Sequence, residues 1–138
     1  MNKQTLQLAL LCLLAASAVT HAHAQSMIAV KVPFDFSISE KTFPAGQYLV
    51  SSSRDHFTVQ DSAGKPVFIG IANQIDGRRA GSTGMVVFHC YDGHCFLSEF
   101  WTPGRENGSQ LQPSRSESAL AKHKRGTEFA LLDQTQQH

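Results

Sequence analysis

Positions 28–38 alternate without a break. Ile28, Val30, Val32, Phe34, Phe36 and Ile38 fall on one side, and Ala29, Lys31, Pro33, Asp35 and Ser37 on the other. A period of two marks a strand with one buried face, so the even-numbered residues are expected in the core. Pro33 cannot donate to a ladder and is expected to split the run into two short strands. Phe43-Pro44-Ala45-Gly46 reads as a turn. Residues 47–53 and 56–61 are further strand candidates, with Arg54-Asp55 between them. After a turn at 62–65, residues 66–72 carry Val67, Ile69 and Ile71 on one face.

The segments 76–84 and 103–113 are rich in Gly and polar residues and read as loops. Between them, residues 85–91 and 94–101 form the clearest hairpin, joined by Asp92-Gly93, the favoured type I′ turn pair. Both of its faces are largely apolar away from the turn, so the hairpin should be central. Ser114-Arg115-Ser116-Glu117 fits a capping box, and Ala119, Leu120 and Ala121 suit a short helix that Gly126 would end. Residues 127–133 read as a last strand, followed by a frayed Gln-rich tail. The expected fold is all-β, a sandwich or small barrel built mostly as an antiparallel meander, with one short C-terminal helix.

The N-terminus has a different logic. Lys3, the apolar run 6–19 and Ala22-His23-Ala24 follow the order of a secretory signal peptide, with cleavage before Gln25. Cys12 follows bulky Leu11 inside the apolar run, which argues against a lipid anchor. The run is short for a membrane span, and no transmembrane segment is expected elsewhere. The organisation is therefore a signal peptide, 1–24, and a single β-rich domain, 25–138, exported to the periplasm or secreted. Cys90 and Cys95 remain after cleavage, an even pair that suits an oxidising compartment.

With 12 Lys+Arg against 11 Asp+Glu, the 138-residue chain lacks the basic excess that phosphate neutralisation demands, so no nucleic-acid partner is expected. At 41% hydrophobic residues, it is not a disordered chain.

The hairpin carries most of the candidate chemistry. A two-residue turn sets Tyr91 opposite His94 and Cys90 opposite Cys95, which predicts a structural disulfide. His89, Tyr91 and His94 share one face, a candidate ligand-binding or acid–base patch. Both histidines lie opposite both sulfurs across the pleat, so one tetrahedral zinc cannot collect all four, and no metal is expected there. Strict alternation places Glu99 on the face of Leu97 and Trp101. Arg78 and Arg79, in a loop with Gly and hydroxyl residues, are candidate anion-binding residues, although the loop lacks a P-loop ending. Lys122, His123, Lys124 and Arg125 complement a helix C-terminus. Nucleophile-elbow, zinc-protease, dinucleotide-binding and EF-hand motifs are missing, and no cofactor is expected.

Val32-Pro33-Phe34-Asp35-Phe36, Phe43-Pro44-Ala45-Gly46-Gln47-Tyr48, Val87-Phe88-His89, Tyr91-Asp92-Gly93, Phe96-Leu97-Ser98-Glu99 and the segment 114–122 occur in an order that resembles a family of small exported proteins abundant in acidobacterial genomes, of uncharacterised function. The resemblance implies a compact β-rich domain with a hairpin-then-helix C-terminal half. It brings no catalytic residues, and the cysteine pair departs from its pattern. The expectation is a non-enzymatic binding or structural module at the cell envelope, with a glycan, a protein or a small apolar molecule as partner. The alternative is a small hydrolase or metal-dependent enzyme using the His89/Tyr91/His94 face with Glu99.

Overall fold

The computed structural model describes residues 2–4, 27–53, 55–77 and 83–135. The cleavage site of the expected signal peptide, most of that peptide, and Arg78 and Arg79 lie outside the described residues. The chain forms β1 (Met27–Val32), β2 (Phe36–Ile38), β3 (Lys41–Phe43), β4 (Gly46–Ser53), β5 (His56–Gln60) and β6 (Pro66–Asp76). There follow β7 (Met85–Tyr91), β8 (His94–Trp101), β9 (Asn107–Leu111), α1 (Arg115–His123) and β10 (Gly126–Leu132). Among the described residues from Met27 onward, this is an all-β fold with one short helix.

The strands join in the order β1-β4-β5-β6-β9-β8-β2-β3, with β7 between β8 and β10. The pairings are antiparallel except β2 with β8. β6 turns the sheet over on itself: its first half pairs with β5 and its second half, from Ala72, with β9. The far edges meet as well. The Gln134 amide donates to the Ala29 carbonyl at 2.9 Å, and the Ala29 amide donates to Asp133 Oδ1 at 3.1 Å. The tail expected to fray is thus tied down as far as Thr135, whose amide and hydroxyl also donate to Asp133.

The rolled sheet closes over one apolar core. Ile28, Val30, Val32, Phe36 and Ile38 enter it, as the alternation requires, beside Tyr48, Val50, Phe57, Val59, Val86, Phe88, Leu97 and Phe100. Pro33 does divide the run, and β1 ends at Val32. Phe34 is the exception to full burial: it lies between β1 and β2 and packs edge-on against Phe88 and Phe129.

Two segments depart from the sequence reading. In β6 Ile69 and Ile71 lie on the outer face, 63% and 74% exposed, whereas Val67, the extra residue at the β5–β6 bulge, packs with Phe68 against the core. Phe68 and Gly70 instead oppose Val59 and Phe57, and the Phe68 ring folds over Gly70, filling the place of its missing side chain. β6 has apolar residues on both faces, so a period of two does not say which face turns inward. The second is β9, within a segment expected to be loop. Its polar residues pair on both sides, with β6 and β8. Gly108 is there because the Trp101 ring covers it: a Cβ would stand 2.6 Å from that ring.

The hairpin of β7 and β8 has the expected register, with Tyr91 opposite His94 and a turn at Asp92 (φ 51°) and Gly93 (φ 83°). Its second face is covered too, since Val87, Phe96 and Trp101 are buried. Cys90 and Cys95 face each other with Cα atoms 4.0 Å apart and their sulfurs at disulfide distance. The loop that this bond closes is small, so chain entropy predicts about 2 kcal/mol of stabilisation. Replacing both cysteines by Ala should keep the fold and lower the melting temperature by several degrees, read by circular dichroism. Two free thiols in the purified, denatured protein would refute the bond.

Candidate functional site

On the outer face of the hairpin, four elements converge on His89. β7 supplies His89 itself. β10 places Glu128 directly opposite it in the ladder. β8 supplies Glu99 through a bulge: Phe88 pairs with Leu97 but Val87 pairs with Glu99, so Ser98 is an extra residue. That extra residue corrects the expected placement of Glu99. The carboxylate does not share the face of Leu97; it stands with Trp101 on the face of His89. Helix α1 supplies the fourth group, Glu117.

The helix start explains the position of Glu117. Ser114 caps the helix and accepts from the Glu117 amide at 3.1 Å. Glu40, in the tight β2–β3 turn, accepts from the Ser116 hydroxyl at 2.6 Å and the Ser116 amide at 3.3 Å. These bonds hold the Glu40 carboxyl below its usual range. The helix is thereby pinned to the sheet, and the Glu117 side chain is buried beneath it.

The distances define a small charged centre. His89 Nδ1 lies 3.6 Å from Glu117 Oε1. Nε2 lies 3.6 Å from Glu128 Oε1 and 4.0 Å from Glu99 Oε1. The Trp101 indole N–H donates to Glu99 Oε2 at 2.8 Å, which orients that carboxylate. Glu99 and Glu117 are buried, while the Glu128 side chain is 53% exposed, so the centre has one open flank. The Glu117 carboxylate pushes the His89 imidazole above its usual range; partial burial opposes this, and Glu99 and Glu128 add to the rise. His89 Nε2 is fully buried and has no hydrogen-bond partner among the described residues.

Of the residues singled out from sequence, His89 is at the centre and Tyr91 is on the same face. Tyr91 packs over Gly126 and its phenol is raised, by burial first and by Glu117 second. His94 stays exposed at the turn, and its partner in the ladder is Tyr91. Lys124 reaches Asp92 of the turn at 3.4 Å. Glu117 and Glu128 were missed as members of the centre. The capping-box position of Glu117 was legible, but not where its carboxylate turns; Glu128 depends on the β7–β10 register.

A second feature lies on the other side of the sheet. Where β6, β8 and β9 reach the open end of the core, a cleft of about 570 Å³ is lined by Asp55, Asn73, Gln74, Arg105, Asn107 and Ser109 over Phe100. Ser52 and Ser109 share a hydroxyl hydrogen bond of 2.6 Å across its wall. No protein-family model, curated protein or solved structure matches this chain.

Proposed function

We propose that the chain is an exported, non-enzymatic β-domain of the cell envelope that holds a polar ligand, a glycan by class, in the cleft at the mouth of the core. The observation that carries the reading is the lining of that cleft. Amides of Gln74 and Asn107 and hydroxyls of Ser109 and Thr102 both donate and accept, which matches a sugar's hydroxyls. Its volume falls within the span of small-molecule sites, about 300–1,000 Å³. The polar lining speaks against a small apolar partner. His89 faces the opposite side of the sheet and supplies the cleft with neither acid nor base. Export is supported by the N-terminal pattern and by a cysteine pair at disulfide distance. Resemblance to small exported acidobacterial proteins points the same way.

The test is a thermal-shift screen of the purified protein against neutral and anionic oligosaccharides, with fatty acids as the apolar contrast. A bound ligand raises the apparent stability. An oligosaccharide should raise the melting temperature, and Gln74→Ala or Asn107→Ala should weaken its binding by up to about ten-fold, the worth of one good hydrogen bond. A shift from fatty acids alone, or glycan binding indifferent to both substitutions, would refute the reading.

A further inference from the structure

The outer-face centre carries a separate inference, independent of the cleft. We propose that His89, Glu99 and Glu128 bind a divalent transition-metal ion of the zinc class, and that Glu117 holds the imidazole in the ligating orientation.

Geometry is the first argument. One ligand atom from each of the three residues lies within 4.8 Å of the others. Ligands at about 2.0–2.2 Å from a tetrahedral zinc stand about 3.3–3.5 Å apart. From Nε2, the 3.6 Å separation to Glu128 therefore needs to close by about 0.1–0.3 Å and the 4.0 Å separation to Glu99 by about 0.5–0.7 Å. Glu128, half-exposed on its strand, is able to move that far.

The second argument is the buried Nε2. It points at two carboxylates and has no hydrogen-bond partner among the described residues. An imidazolium N–H facing a carboxylate draws it in to about 2.7–2.9 Å. The distances here exceed that by about 0.7–0.9 Å at Glu128 and by about 1.1–1.3 Å at Glu99. A bare nitrogen lone pair facing two oxygens is repelled by them. A cation seated between the three atoms resolves both difficulties, and these spacings suit one.

Third, the surroundings have the form of a metal site's outer layer. Ligating histidines commonly direct the other ring nitrogen at a carboxylate, which fixes the ring and makes it a better donor. Glu117 occupies that place, 3.6 Å from Nδ1. The Trp101 indole does the same for Glu99 by holding Oε2 and leaving Oε1 turned toward His89. The ligand set selects the metal. One imidazole with two carboxylates suits zinc and its first-row neighbours better than Mg²⁺ or Ca²⁺, which favour oxygen alone. The open flank beside Glu128 leaves the fourth position to water.

The experiment is a calorimetric titration of Zn²⁺ into chelator-stripped protein with its cysteines oxidised, repeated in excess Mg²⁺. Visible absorption of Co²⁺ reports the ligand type. One Zn²⁺ per chain should bind with little loss in Mg²⁺, and Co²⁺ should give d–d bands with no sulfur charge-transfer band. Glu128→Gln, exposed and compatible with folding, should weaken binding by about ten-fold or more, and His89→Gln should abolish it. Glu117→Gln should weaken it about ten- to hundred-fold at unchanged stoichiometry, as an orienting partner does. Glu106→Gln, on an exposed loop, should change nothing. Absence of stoichiometric Zn²⁺ uptake by folded wild-type protein would overturn the proposal. So would uptake indifferent to Glu128→Gln, or a thiolate band. If His89→Gln fails to fold by circular dichroism, Glu128→Gln decides.

Discussion

Phe36→Ala is expected to remove about 3–5 kcal/mol of stability. The residue is 2% exposed, and its ring meets three others, Phe43 stacked and Tyr48 and Phe88 edge-on, at centroid distances of 5.1–5.7 Å. Truncation loses the transfer energy of the ring and leaves a cavity that three rigid aromatics are poorly able to fill. Small domains have only about 5–15 kcal/mol in total, so the variant should be marginal or unfolded at 37 °C. Phe34→Ala is the comparison: its ring is partly buried and should cost clearly less. Lys31→Ala, exposed on the same run, should stay within about 0.5 kcal/mol of wild type. Urea denaturation of the three variants tests the ranking; equal losses at Phe36 and Lys31 would contradict the packing described.

Trp101→Ala is expected to be comparably severe, at about 3–5 kcal/mol, for a different reason. Trp101 is 2% exposed on the outer face, where its ring covers Gly108 and its N–H orients Glu99. The substitution opens a cavity over β9 and also takes a donor from a buried carboxylate. Trp101→Phe separates the two effects. It keeps most of the ring and should cost about 1.5–3 kcal/mol, the worth of a hydrogen bond to a charged group. The chain has one Trp, so unfolding must be followed by circular dichroism and not by fluorescence. A Phe variant as stable as wild type would show that the indole bond to Glu99 is dispensable.

The strands with one polar and one apolar face were readable because burial and period carry the same information. This holds for β1, β2, β4 and β5. The Asp92-Gly93 turn fixed the hairpin register, since few residues accept a positive φ at both turn positions. β6 failed the same reading because both of its faces are apolar. β9 failed because its order comes from two neighbours and from the Trp101 ring over Gly108, not from its own composition. The centre at His89 was half legible. His89 and Tyr91 stood on one strand face, but Glu99 reached that face only through one extra residue, Ser98, which has no local marker. Glu117 and Glu128 arrived through a helix docking and a strand pairing, both long-range events.

The Asp133 carboxylate has a consequence for how the molecule meets its own copies. β1 ends the sheet, and a terminal strand with a row of unused amides and carbonyls is a template for a foreign strand. Here the Ala29 amide is occupied by a side chain and the Ala29 carbonyl by the Gln134 amide, so the C-terminal tail acts as a plug where a further strand would add. A chain clipped before Asp133 would keep the core but bare that edge. Its unpaired amides and carbonyls would then be free to recruit the β1 of another molecule, leaving the domain prone to edge-to-edge association.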